Sequence, residues 1–275
     1  MRPAVDDLAE NQLESSPAPQ DRAPGYYQLL SYIVSNTISG EIMAVENYSE
    51  MVALMPDYTS AIEANRQAWE ECGHIRQLAK LAVRLGFAVE QRIIEPQWKT
   101  IREHFSKAIR KKNLNGCLLI QDVMTETMAI LLYRTLAKDA DHVTASVASR
   151  ILVDEQSHLE IGTARLRKRL ETERDDVCDA LVWAHHRVMP ELFSMVSTSC
   201  HHLCDELKLD CASLDLKHLR VDLADLRVEA LQTYMETLDR IGFPPTVTNP
   251  LIASMSAYEG MKELTVAGCD TSKCC

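Results

Sequence analysis

Asp154-Glu155-Gln156-Ser157-His158 is the stretch on which the fold turns. Glu155 and His158 stand three residues apart, so on a helix they share one face. Val147, Ala148, Ile151, Leu152 and Ile161 make the flanking stripe apolar. A carboxylate and an imidazole therefore point into what should be a core. Glu70-Glu71-Cys72-Gly73-His74 repeats the pattern, with Ala64, Ala68, Leu78 and Leu81 on its stripe. Two inward Glu-x-x-His pairs, each joined by one more Glu from another helix, make the ligand set of a carboxylate-bridged dinuclear metal site in a helical bundle.

Both further Glu residues can be found. Glu41 lies in the middle of a stripe formed by Val34, Ile38, Ala44, Val45 and Tyr48. Alone, it would read as a boundary residue with its tip in water. Glu126 resists that reading. Its predicted helix, about 117–137, is apolar nearly all round, as in a helix buried on most sides. An uncompensated carboxylate there would cost several kcal/mol or take up a proton. Glu41 precedes Glu71 by 30 residues and Glu126 precedes Glu155 by 29. Two similar helix pairs meeting antiparallel would then bring together Glu41, Glu71, His74, Glu126, Glu155 and His158. Four carboxylates balance two divalent ions, so both charge sets can be buried together. Oxygen-rich ligation with one imidazole per metal suits two irons, or a manganese/iron pair, better than zinc.

Three residues are candidates for support of these ligands. Asp154 can reach across to orient His74, since a ligating imidazole usually donates its other N–H to a carboxylate. Tyr48 follows Glu41 by two turns, and Tyr133 follows Glu126 by two turns. They either hydrogen-bond ligand oxygens or are ordinary core tyrosines.

The rest of the chain suits an all-α protein. In 275 residues there are only 9 Gly and 10 Pro, and long stretches lack both. Apolar residues make up 46%, enough for one large helical domain. Helices are predicted at about 26–54, 58–85, 96–111, 117–137, 141–170, 174–207 (with Pro190 as a kink), 218–241 and 249–262. Residues 1–24 read as a disordered lead, 25–262 as the helical domain and 263–275 as a flexible tail holding Cys269, Cys274 and Cys275. The net charge of −11 argues against nucleic acid as a partner. No uninterrupted apolar run approaches 18 residues, so no membrane span is expected. No GxG occurs, which predicts no bound NAD or flavin. With 9 Cys and no export signal, reduced thiols and a cytoplasmic location are expected. Cys200-His201-His202-Leu203-Cys204 looks like metal chemistry, but its two Cys and two His face different ways and nothing completes a four-ligand zinc site.

With these residues in place, the sequence resembles the aldehyde-deformylating oxygenases of the ferritin-like superfamily. The matching stretches are Gly40-Glu41 through Asn47-Tyr48 to Met55-Pro56-Asp57, Cys117 to Gln121 with Glu126 and Tyr133, Asp154-Glu155 with His158, Ile241-Gly242-Phe243, and Met255 to Tyr258. The resemblance covers about 26–260. It implies a ferritin-like bundle of about eight helices around a four-helix core. It also implies a di-iron centre at the six positions named, O2 as co-substrate and an external ferredoxin-type electron donor.

Departures from that family bear on substrate. Asn36 and Thr37 stand where it carries branched apolar residues along the fatty chain, and Leu132 replaces a small residue. Ala82 stands for a frequent cysteine, and Glu160 for an asparagine near the metal-binding His. With Gly40 and Ala129, the residues Asn36, Thr37 and Leu132 outline a narrower, more polar pocket. Such a pocket predicts a small, nitrogen-bearing substrate undergoing N-oxygenation or hydroxylation. Three alternatives remain open: deformylation of a long-chain fatty aldehyde to alkane and formate, iron binding without catalysis, and a radical-generating subunit with the radical on Tyr48 or Tyr133. A monomer or homodimer is expected.

Overall fold

The structure is a computed structural model that describes residues 24–92, 94–201 and 223–265. Eight helices run through the described residues: α1 Pro24–Met51, α2 Tyr58–Leu85, α3 Pro96–Arg110, α4 Leu114–Asp139, α5 His142–Thr172, α6 Arg174–His201, α7 Leu223–Ile241 and α8 Pro245–Thr265. Among the described residues there is no strand. The predicted helices match these in number and order. The Cys200–Cys204 cluster lies largely outside the described residues, as do most of the lead, the tail cysteines and the stretch from 202 to 222.

Local chemistry explains the helix ends. Asp57 caps α2 by accepting from the Ser60 N–H at 2.8 Å. Gly86 closes the same helix in the left-handed region, with φ 75°, which costs glycine little. Asp141 caps α5 through the Val143 and Thr144 amides, both at 3.0 Å. Its other oxygen takes the Tyr26 phenol at 2.6 Å, which ties the start of α1 to the start of α5. α8 begins at Pro245, four residues before its predicted start, because a proline suits the first helical position.

α4 departs from the prediction in two ways. It starts at Leu114, and Leu119–Thr125 is π-helical before α-helical geometry resumes at Glu126. It is also the one described helix long and apolar enough to cross a membrane by length and composition. Asp122 and Glu126 interrupt its apolar run, and 83% of the apolar window is buried within the bundle, as in a core helix. Pro190 sits inside a continuous α6.

α1 lies along α2, α4 along α5, and α2 meets α5, giving the four-helix core. Two apolar clusters fill it. One gathers Leu30, Val34, Ile38, Leu81, Tyr133, Val147 and Ile151, and the other Met43, Tyr48, Phe105, Ile120, Leu166 and Leu192. The polar site lies between them, with one tyrosine in each cluster.

Candidate metal centre

Each Glu-x-x-His pair lies on a straight stretch of helix, so the i,i+3 spacing alone sets carboxylate beside imidazole. His74 Nδ1 is 2.9 Å from Glu71 Oε2, and His158 Nδ1 is 3.5 Å from Glu155 Oε2. The packing of α2 on α5 then crosses the pairs. His74 Nδ1 lies 3.1 Å from Glu155 Oε1, and His158 Nδ1 lies 3.1 Å from Glu71 Oε1. Glu41, Glu71, His74 and Glu155 offer donor atoms all within 4.8 Å of one another, and so do Glu71, Glu126, Glu155 and His158. Glu71 and Glu155 belong to both groups. All six side chains are buried.

This geometry fits a pair of metal ions. Glu71 Oε1, Glu155 Oε1 and His158 Nδ1 are buried and make no well-aligned hydrogen bond, although each lies 3.1 Å from another ligand atom of the set. Orphaned buried polar atoms are costly, and a cation is the partner they lack. The electrostatics agree. Burial drives Glu41 and Glu126 well above the usual carboxylate range, and the neighbouring Glu71 and Glu155 charges add to it. Burial also pushes Glu71 and Glu155 up, but hydrogen bonds from the two imidazoles more than offset it and the net direction is down. Burial pulls both imidazoles down, yet the surrounding carboxylates raise them far above the ordinary histidine value. With no ion bound, protons on the two imidazoles and on Glu41 and Glu126 balance the ionised Glu71 and Glu155, and a pair of cations would displace those protons.

The supporting residues form a crossed pattern. Tyr48, on the helix of Glu41, donates to Glu126 Oε1 at 2.9 Å. Tyr133, on the helix of Glu126, donates to Glu41 Oε1. His74 Nε2 meets Asp154 Oδ2 at 3.3 Å. Its mirror on the other side is Glu70, whose Oε2 meets His158 Nε2 at 3.0 Å. Glu70 is in turn held by Arg66. Each acid directly precedes a Glu-x-x-His, so aligning the two motifs would have paired Glu70 with Asp154.

Gln121 is a further supporting residue that the sequence reading passed over. Its Nε2 donates to Glu126 Oε1 at 3.0 Å, and its own oxygen accepts from Asn47 Nδ2 at 2.7 Å. Residues 121 and 126 are five apart, the repeat of a π-helix, which sets them nearly above one another. In an α-helix they would diverge.

The five pocket candidates fall around Glu41 and along α4. Asn36 Oδ1 accepts from Trp98 Nε1 at 2.7 Å, and a Cβ at Gly40 would come within 3.2 Å of the same indole. Thr37 is buried and donates to the Ile33 carbonyl at 2.8 Å. Ala129 and Leu132 are half-buried against the cluster that holds Tyr133. Ala82 is buried, and Glu160 is exposed.

An all-α bundle with a buried, carboxylate-rich pair of Glu-x-x-His motifs defines a ferritin-like protein with a candidate site for two metal ions. The chain belongs to the long-chain fatty aldehyde decarbonylase family, whose model matches residues 23–259. Among solved structures it is similar to protein 19 with aldehyde deformylating oxidase activity from Synechococcus. That likeness has a TM-score of 0.70 at 18% identity and covers 84% of this chain and 98% of the other.

Proposed function

We propose that the protein is an O2-dependent di-iron oxygenase that removes the carbonyl carbon of an aldehyde as formate. The single observation that carries the metal chemistry is the double donor set in which Glu71 and Glu155 each face both imidazoles. Family membership supports the aldehyde reaction over the polar substrate expected from the sequence. One imidazole and several carboxylate oxygens per ion favour iron over zinc. Bound as a pair, the metal would supply O2 binding and redox chemistry.

The chain's own residues do the rest. Glu41 with His74 would hold one ion and Glu126 with His158 the other, with Glu71 and Glu155 belonging to both donor groups. Tyr48 and Tyr133 fix the terminal carboxylates, and Asp154 and Glu70 fix the imidazole planes. The apolar clusters on either side exclude water, which strengthens each of these contacts. The reaction consumes electrons and protons besides O2 and aldehyde, so an external iron–sulfur reductant of the ferredoxin type is part of the proposal.

A second reading keeps the same centre but turns it on a small nitrogen-bearing metabolite, by N-oxygenation or hydroxylation. The observation that favours it is the pairing of Asn36 with Trp98 beside Gly40, one residue from Glu41. Incubating the reduced, iron-loaded protein with alkanals, amines and hydrazines separates the two. Alkane with formate supports the first; oxygenated nitrogen products without formate replace it with the second. Sizing that shows a hollow multisubunit shell, with no turnover of any substrate, would point to iron storage instead.

A further inference from the structure

The two halves of the site are related by the repeated motif, and the relation fails at three positions. Gln67 lies four residues before Glu71; its counterpart, four before Glu155, is Ile151. Asp122 lies four before Glu126; its counterpart, four before Glu41, is Thr37. Arg165 lies seven after His158; its counterpart, seven after His74, is Leu81. A polar trio on the Tyr48 side thus faces a largely apolar trio on the Tyr133 side, where Ile151 and Leu81 are buried.

The trio is continuous from surface to site. Arg165 keeps 17% of its side chain exposed and donates to the Ser60 carbonyl at 3.4 Å. The same guanidinium donates to Gln67 Oε1 at 3.4 Å and lies 3.7 Å from Asp122 Oδ2. Gln67 Nε2 donates to the Tyr48 oxygen at 3.1 Å, and Tyr48 donates on to Glu126. Asp122 itself is fully buried; neither carboxylate oxygen makes a short hydrogen bond, and the Tyr48 phenol is the hydroxyl beside it. It has room only because residue 162 is glycine: a Cβ there would lie 2.2 Å from the Asp122 Cβ. A fully buried carboxylate whose one cation lies 3.7 Å away favours its protonated form.

We propose that Asp122 is the proton entry of this site, acting through Tyr48 on Glu126 and resupplied from the surface past Arg165. The transfer balances: the Asp122 carboxyl proton passes to the phenol oxygen as the phenol proton moves along its hydrogen bond to Glu126. Asp122 is left as a carboxylate beside Arg165 and recovers its proton from solvent. The groups facing it are Arg165 and His158 from α5, Glu71 from α2, Tyr48 from α1 and Cys117 on its own helix. Burial raises its carboxyl to about 6, with Arg165 pulling the other way. The assignment rests on the proposed O2 chemistry, which takes up protons.

The test uses the full-length, iron-loaded protein in two independent measurements. Infrared difference spectra recorded across pH should show a protonated carboxyl band that shifts in D2O and is lost in Asp122→Asn. O2 uptake by the reduced protein should fall with rising pH in the wild type. In Asp122→Asn it should be about 100-fold slower and independent of pH, with iron content unchanged. Arg165→Gln, a partly exposed change, removes the nearby positive charge. It should move both the infrared titration and the fall in O2 uptake to higher pH, and it answers the question even if Asp122→Asn does not fold. The proposal is overturned by the absence of such a band, by an Arg165→Gln protein whose titration does not move, or by wild-type rate and pH profile in Asp122→Asn. A wild type that takes up no O2 would sink the oxygenase reading, while the infrared titration would still report on Asp122.

Discussion

Tyr48 stands on the helix that carries Glu41 and yet donates its phenol proton to Glu126, at 2.9 Å, on a different helix. Tyr133 returns the favour from the helix of Glu126 to Glu41. Each terminal carboxylate is therefore held by the opposite half of the site. A hydrogen bond to a charged, buried acceptor contributes about 1.5–3 kcal/mol. Tyr48→Phe should weaken the ion served by Glu126 and His158, and Tyr133→Phe the ion served by Glu41 and His74. Competition titration with a metal-binding dye should show one weakened step in each single variant. Loss of both steps together in either variant would contradict the crossed arrangement.

The imidazoles are anchored separately, His74 by Asp154 and His158 by Glu70. Replacing such a partner commonly costs about 10–100-fold in metal affinity. Asp154→Asn and Glu70→Gln should each lower the affinity of one ion by that order while leaving the other nearly unchanged. Equal effects on both ions in calorimetric titration would argue that the anchors act through the fold and not through their own histidines.

Much of this was legible in the sequence, and for a local reason. The i,i+3 spacing of Glu71/His74 and Glu155/His158 fixes a shared face without any knowledge of tertiary structure. Gly86 marks a helix end through backbone chemistry that acts over a few residues, whereas the start of α8 at Pro245 lies four residues before the expected one. The crossing of the tyrosines was not legible, because it depends on how α1 and α4 face each other. Nor was the π-helical stretch 119–125, since a shift from i−4 to i−5 bonding leaves no mark in composition. The partnership of Trp98 with Asn36 joins residues 62 apart and likewise lies beyond local reasoning.

Asp122 should make stability depend on pH. Its folded value of about 6 lies above the ordinary 3.8, mainly through burial. For an acid raised in this way, ionisation penalises the folded state. The penalty is absent below the unfolded value, grows between the two and is complete above the folded one. At 1.36 kcal/mol per unit it amounts to about 3 kcal/mol. Urea unfolding of chelator-treated protein should show Asp122→Asn more stable than the wild type above pH 6, by up to about 3 kcal/mol, with the gain vanishing near pH 4. A gain that persisted at the acid end would mean that the carboxylate charge is not its source.

Gly162→Ala puts a methyl group 2.2 Å from the Asp122 Cβ, one turn beyond His158. Neither atom is the end of a flexible chain, so α4 and α5 must part. Overpacking of this kind costs about 1–3 kcal/mol or more. At roughly 2–4 °C per kcal/mol for a chain of this size, the melting temperature should drop by about 2–12 °C. An unchanged melting temperature would show that the two helices can separate freely at this level.

The central claim is that six buried side chains hold two ions, with Glu71 common to both. Anaerobic titration of the full-length protein with ferrous iron measures this most directly. The account predicts saturation at two ions per chain, one for each donor group, and loss of both binding steps in Glu71→Ala. Saturation at one ion or none, or a Glu71→Ala protein that still binds two, would contradict it.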